Sequence, residues 1–372
     1  MARLGDICTL VNGYAFKPAD WKADGLPIIR IQNLNDTTST FNYYDGVIDE
    51  KYIVNDGDLL FSWSGTPGTS FGAFFWKRGK GVLNQHIFNV HPVSGVNKEY
   101  LRYALNGNIS KIIDKAHGGV GLQHITKKEL VEIEIPLLSN HKQEQIVVVL
   151  DKMENLISLR KQQLTKLDEL VKSRFIELFE SGNYPVCRLG DVCSKITDGT
   201  HKTPNYLDAG VTFISAKNIV NGELDFSDVK YISDQEYAEI QKRCQTEMGD
   251  ILLSKSGSLG APVIVKTTER IGLFESLAVI KYDRSKLLPA FLCEQLKSDR
   301  IQRQFKVGTK GVAIKHLHLG VIADTDIVVP PIENQNAFTA FVEQTDKSKL
   351  AVQQSLEKLE TLKKALMQKY FG

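Results

Sequence analysis

Arg3-Leu4-Gly5-Asp6-Ile7-Cys8 returns as Arg188-Leu189-Gly190-Asp191-Val192-Cys193, 185 positions further along the chain. Outward from this start the echo continues. Gly57-Asp58-Leu59-Leu60 with Ser62, Ser64 and Gly65 returns as Gly249-Asp250-Ile251-Leu252 with Ser254, Ser256 and Gly257, now offset by 192. The same offset joins Val120-Gly121-Leu122-Gln123-His124 to Val312-Ala313-Ile314-Lys315-His316, and Leu164, Leu167 and Leu170 to Leu356, Leu359 and Leu362. Units this long are two related domains in tandem, not a solenoid of short repeats. A chain that presents one surface twice suits a partner offering two similar half-sites.

Each copy opens with short β-type runs broken by Gly and Asn: 26–31, 58–63, 71–76 and 82–90 in the first, 211–215, 251–254, 262–266 and 271–282 in the second. A helix fits 97–116 and, in the second copy, 288–305. A last strand ends at Ile135-Pro136 and at Val329-Pro330-Pro331. The second part of each copy is helical. Leu150, Met153, Ile157, Leu164, Leu167 and Val171 fall at 3–4 spacing, as do Phe338, Val342, Thr345, Val352, Leu356, Leu359 and Leu366. A seam so narrow wants another helix, and the two copies supply matching seams. The expected fold is therefore mixed α/β (α+β): two strand-rich globular domains in tandem, each followed by a long helix, the helices pairing as an antiparallel coiled coil. The expected divisions are 1–140, a helix over 141–182, 183–331, and a helix over 332–372. The other arrangement is that each helix packs on its own domain or drives dimerisation.

The copies differ in their variable stretches. Residues 34–56 separate Gln32-Asn33 from Gly57-Asp58, whereas the longer 219–248 separates Lys217-Asn218 from Gly249-Asp250. One scaffold with two loop sets suggests two targets read by one geometry.

A formal charge of +2 is a weak footprint for a free-standing DNA binder, so a partner would share the phosphate work. No apolar run approaches a membrane span. The first residues lack the apolar stretch of a signal peptide, which makes the cytoplasm the expected compartment. Five cysteines with no C-x-x-C pair argue against a disulfide framework, and Cys8 and Cys193 read as small buried hydrophobes.

Catalytic patterns are missing. There is no P-loop, and Gly118-Gly119-Val120-Gly121 lacks dinucleotide spacing. Val329-Pro330-Pro331-Ile332 lacks the polar first residue that would hold a target amino group. His86, His117, His124, His201 and His316 have no metal-ligand spacing. The expectation is no catalytic residue, no metal and no cofactor bound by this chain.

Binding is easier to argue. Ser62-Trp63-Ser64-Gly65-Thr66-Pro67-Gly68 and Ser254-Lys255-Ser256-Gly257-Ser258-Leu259-Gly260 offer hydroxyls and amides in a glycine turn, which suit phosphate oxygens. Arg30, Gln32 and Asn33, matched by Ser215, Lys217 and Asn218, are types that grip base edges. Gln85-His86 and Gln123-His124 add to the set, with Lys315-His316 opposite and Lys310 nearby.

In order and duplication, these features resemble the specificity subunit of type I restriction–modification systems. The resemblance is carried by the doubled Arg-Leu-Gly-Asp start and the Gly-Asp-[Leu/Ile]-Leu…Ser-Gly loop. It also rests on the Ile-Pro and Val-Pro-Pro endings before Gln143-Glu144-Gln145-Ile146 and Asn334-Gln335-Asn336, the second of which departs from the usual Glu-Gln-Ile helix start. The resemblance implies two target recognition domains, each reading half of a split double-stranded DNA sequence, with the helices fixing the unread spacer. It implies a non-catalytic chain docking two modification subunits that carry S-adenosylmethionine and methylate adenine. Restriction subunits using ATP and Mg can join them. Two alternatives stand beside it: a coiled-coil interaction scaffold that binds no nucleic acid, and a DNA-modifying enzyme with an unrecognised site.

Overall fold

A four-stranded antiparallel sheet is the centre of each copy. In the first its order is Cys8–Asn12, Ile87–Pro92, Leu59–Ser62, Gly72–Phe75; in the second it is Cys193–Asp198, Leu277–Tyr282, Ile251–Ser254, Pro262–Ile264. The computed structural model describes residues 1–36, 38–65, 71–119, 122–182, 184–309 and 316–372. The chain divides into two units, Met1–Lys161 with Gln354–Gly372, and Gln162–Gln353.

A second sheet holds a parallel pair in each unit: Leu26–Ile29 beside Gly81–Leu83, and Val211–Ile214 beside Ile271–Leu273. The runs 82–90 and 271–282, which read as single strands, are thus each two strands in different sheets. The turn between them is closed by Ile87 N donating to Asn84 O (3.2 Å) and Leu277 N to Phe274 O (3.0 Å). The helices expected over 97–116 and 288–305 are likewise broken in two, at Asn108 and Ser298. Asn108 turns its amide back onto Ala104 O (2.9 Å), and the Ser298 hydroxyl caps the following helix at Ile301 N.

The repeated motifs have physical causes. Leu4 and Leu189 are fully buried, and their amides donate to Ile133 O (2.9 Å) and Thr325 O (2.8 Å), which ties the start of each domain to its end. The Asp250 carboxylate accepts from Glu247 N and the Asp58 carboxylate from Asn55 N, closing the turn before the central strand. Gln143 and Gln335 are completely buried at the starts of the long helices. The Gln143 side chain accepts from Asn97 N (2.9 Å) and donates to Gly95 O and Leu138 O. The Gln335 side chain accepts from Leu288 N (2.9 Å) and donates to Lys286 O and Pro330 O. The second copy therefore keeps the functional part of the helix start that its sequence blurs.

The long helices are Asn140–Phe175, 36 residues, and Ile332–Phe371, 40 residues, or roughly 50–60 Å each. Their segments pair in antiparallel fashion within the first unit and meet again within the second. Within the first unit Glu154 meets Lys363 (2.7 Å) and Lys161 meets Glu360 (3.0 Å); within the second Asp168 meets Lys349 (2.7 Å). On the apolar side of these helices Leu150, Met153 and Leu356 are buried in the first unit, and Val171 and Val352 in the second. Each helix ends in a globular core. Phe371 packs on Tyr100 in the first unit, and Phe175 and Phe179 join Phe291 and Phe338 in the second.

Cys8, Cys244 and Cys293 are buried, and burial pushes the Cys8 and Cys244 thiols up to about 12. No helix among the described residues is long and apolar enough to cross a membrane.

Candidate nucleic-acid interface

The glycine loop that follows each central strand is pinned by the same backbone bonds in both units. Trp63 N donates to His86 O (3.3 Å) and Lys255 N to Ser276 O (2.7 Å). Ile125 N donates to Trp63 O (3.1 Å) and Leu317 N to Lys255 O (2.9 Å). Tyr14 N donates to Leu83 O and Thr200 N to Leu273 O, so a third segment joins the same cluster. It approaches so closely that a Cβ on Gly13 or Gly199 would lie 2.1 Å from a carbonyl oxygen, which only glycine permits. Thus 12–14, 63–65 and 84–86 gather in the first unit, and 198–201, 254–258 and 274–276 in the second.

Among the expected contact residues, several are committed inside the fold. Asn33 and Asn218 are buried. Each accepts from the backbone amide three residues before it (Arg30 N, 2.9 Å; Ser215 N, 3.1 Å) and donates to the following loop. Ser62 and Ser254 are fully buried, their hydroxyls bonded to Ser64 O and Ser258 O. Lys255, expected to face DNA, is 3% exposed and ion-paired to the equally buried Asp198. These five side chains are bonded within the fold, because a buried polar group must be satisfied where it lies.

Others face outward. Gln32, Lys217, Ser258 and His124 are exposed, and Ser64, Ser215 and Ser256 are half-buried. Lys217 pairs with Asp228 at 2.9 Å. Arg30 is aimed by two neighbours, Asn42 Oδ1 (3.3 Å) and the Trp21 ring, whose centroid is 5.2 Å away. Gln85 contacts His86 (3.1 Å), which tilts against Trp63. Burial, with the nearby Arg30 charge adding to it, pushes the His86 imidazole below its ordinary value. Burial first, then the Lys255 ammonium, does the same to the half-buried His316. Thr66, Lys310 and Lys315 lie outside the described residues, and Gln123 is described by its backbone, paired with Gly65.

The first unit thus brings together Arg30, Gln85, His86 and the indole of Trp63, whose Nε1 donates to Asn12 Oδ1 (3.2 Å). The equivalent place in the second unit is ionic. Asp198 receives Lys255 on one oxygen, and Arg243 and His201 on the other. His201 Nδ1 lies 2.7 Å from Glu275. Burial opposes ionisation of Asp198, but the bonds from Lys255 and Arg243 outweigh it and hold the carboxyl below its usual range. Asp198, His201, Arg243 and Glu275 were absent from the expected contact set. They are distant in sequence and carry no motif; the one available signal was that Arg243 falls in the longer variable stretch. Among the described residues no group of three or more His, Cys, Asp or Glu is placed to hold a metal ion.

The profile of the family described as "Type I restriction modification DNA specificity domain" matches residues 1–169 and 182–362. The chain belongs to this family. The two matched segments are the two specificity domains, and their tandem order suits a bipartite DNA target. Among curated relatives, the EcoBI specificity subunit of Escherichia coli is 26% identical over 409 aligned residues, covering 99% of this chain and 84% of its own. The MjaVIII specificity subunit of Methanocaldococcus jannaschii is 22% identical, covering 99% and 90%. The solved S subunit from M. genitalium superposes with a TM-score of 0.55 at 15% identity, covering 100% of this chain and 95% of that one. A structure from a study of type I system assembly gives 0.61 at 16%, covering 100% and 96%. At these identities the structural likeness is one of fold.

Proposed function

We propose that this chain is the DNA-reading, non-catalytic subunit of a type I complex. Each specificity domain contacts one half of a split duplex target, and the chain docks two modification subunits. Those subunits bring S-adenosylmethionine and methylate adenine; restriction subunits, where present, bring ATP and Mg. The observation that carries this reading is the matched loop cluster: one backbone hydrogen-bond frame, built twice, holding two different sets of polar side chains. An outward apolar stripe on the first long helix supports docking. Val148, Val149, Leu156 and Leu159 are 51, 38, 42 and 59% exposed and fall within about 100° of helical arc, opposite the buried seam. The small net charge supports shared phosphate contacts.

The test is a methylome. The chain is co-expressed with its modification subunit and adenine methylation is mapped by single-molecule sequencing. A split motif that appears with the chain and vanishes without it is the expected result; unchanged methylation from a co-purifying complex refutes the reading.

A further inference from the structure

The two loop clusters share a frame but obtain their arginine by different routes. In the first unit it is Arg30, at the position matched in the second by Ser215. The second unit has no arginine there. Its longer variable stretch, 219–248, instead contains the helix Asp234–Arg243, and the last residue of that helix reaches the buried Asp198.

We propose that Arg243 reads a guanine in the half-site bound by the second specificity domain, with Asp198 and His201 as its positioning residues. This rests on the DNA-reading function proposed above. Three observations support it. First, Asp198 is already neutralised by the buried Lys255, so the Arg243 guanidinium is not needed to balance the buried charge. Its side chain is 53% exposed, and among the described residues its side-chain hydrogen bonds are made by Nη2. Second, its aim is fixed from below. One nitrogen bonds Asp198 Oδ1 and lies 3.3 Å from His201 Nε2, while His201 Nδ1 is engaged by Glu275. His201 Nε2 lies 3.3 Å from Asp198 Oδ1 as well, so the carboxylate, the imidazole and the guanidinium hold one another in place. Third, Asp198 and His201 hold Arg243 at the loop cluster itself, where a guanidinium fork matches the O6 and N7 acceptors of guanine.

The experiment compares the wild-type complex with Arg243→Lys, Arg243→Ala and the neighbouring Lys242→Ala in the same methylome assay, with co-purification and thermal unfolding as checks on folding. Arg243→Lys keeps the charge at an exposed helix end, so the protein stays folded. The expected result is that both Arg243 variants keep the first half-site intact and relax one G·C position in the second, with discrimination falling roughly tenfold to a hundredfold. Lys242→Ala leaves the motif unchanged. Asp198→Asn relaxes the same position as Arg243→Lys. An unrelaxed motif in both Arg243 variants overturns the assignment, and so does an equal loss of methylation at all sites, the signature of a phosphate contact. If the wild-type chain directs no split motif, the DNA-reading function itself fails, a result distinct from either of these.

Discussion

Gln143 and Gln335 show what a single side chain contributes. Each buried amide satisfies one backbone N–H and two carbonyls where a globular domain hands the chain to a long helix. Gln335→Leu strands those three groups and lowers the stability of the second unit by about 3 kcal/mol, read as a lower urea midpoint. Gln335→Glu does not rescue it, because a carboxylate cannot donate to Lys286 O and Pro330 O. Asp198 gives a pH test. Its depressed value means the folded state holds fewer protons than the unfolded one, so its contribution is present above the ordinary carboxylate value near pH 4. It is lost as pH falls through the lower folded value. Asp198→Asn is therefore less stable near neutrality and flatter on its acid limb in unfolding measured against pH. Sequence spacing made Gln143 visible as part of a helix start. It did not show that Lys255 would be buried, because Asp198 lies far away in the chain and only the fold joins them.

At the scale of elements, the apolar periodicity of both long helices was legible, since a 3–4 repeat has one physical meaning over so many turns. The breaks at Asn108 and Ser298 were less visible, although Ser298-Asp299 followed by Ile301 is a helix-start pattern. Strand limits blurred where 82–90 and 271–282 pass between sheets, because the polar breaks Asn84-Gln85-His86 and Glu275-Ser276 are short and contain no Gly or Pro to mark a turn. The first long helix carries its own prediction. Leu159→Asp sits on the outward stripe, away from the seam, so the melting temperature stays within a few degrees of wild type. Co-purification of the modification subunits falls at least tenfold in a pull-down, because a charge in an apolar contact is left unpaired.

For the whole molecule, a formal charge of +2 sets how the chain meets DNA. Each phosphate contact contributes about −0.9 to the slope of log K against log salt. The chain alone is expected to bind its target weakly with a shallow slope, and the assembled complex to bind tightly with a steeper one; titrations at several salt concentrations measure both. The duplication, and hence the two-part target, was the most legible property of the sequence because it needs only self-comparison. The content of the two loop clusters was the least legible, because matched frames hold unmatched residues.

The buried thiols give the molecule two internal clocks. Cys8 is the cysteine of the unit Met1–Lys161 with Gln354–Gly372, and the other four belong to Gln162–Gln353. A sulfur that is enclosed and holds its proton to about pH 12, as Cys8 and Cys244 do, reacts with an alkylating agent only when its surroundings open. Pulse alkylation followed by peptide mass spectrometry therefore times the opening of each recognition domain separately, in the intact chain and without an added label. Comparing the two rates with and without cognate DNA shows which half of the target a bound duplex is holding shut.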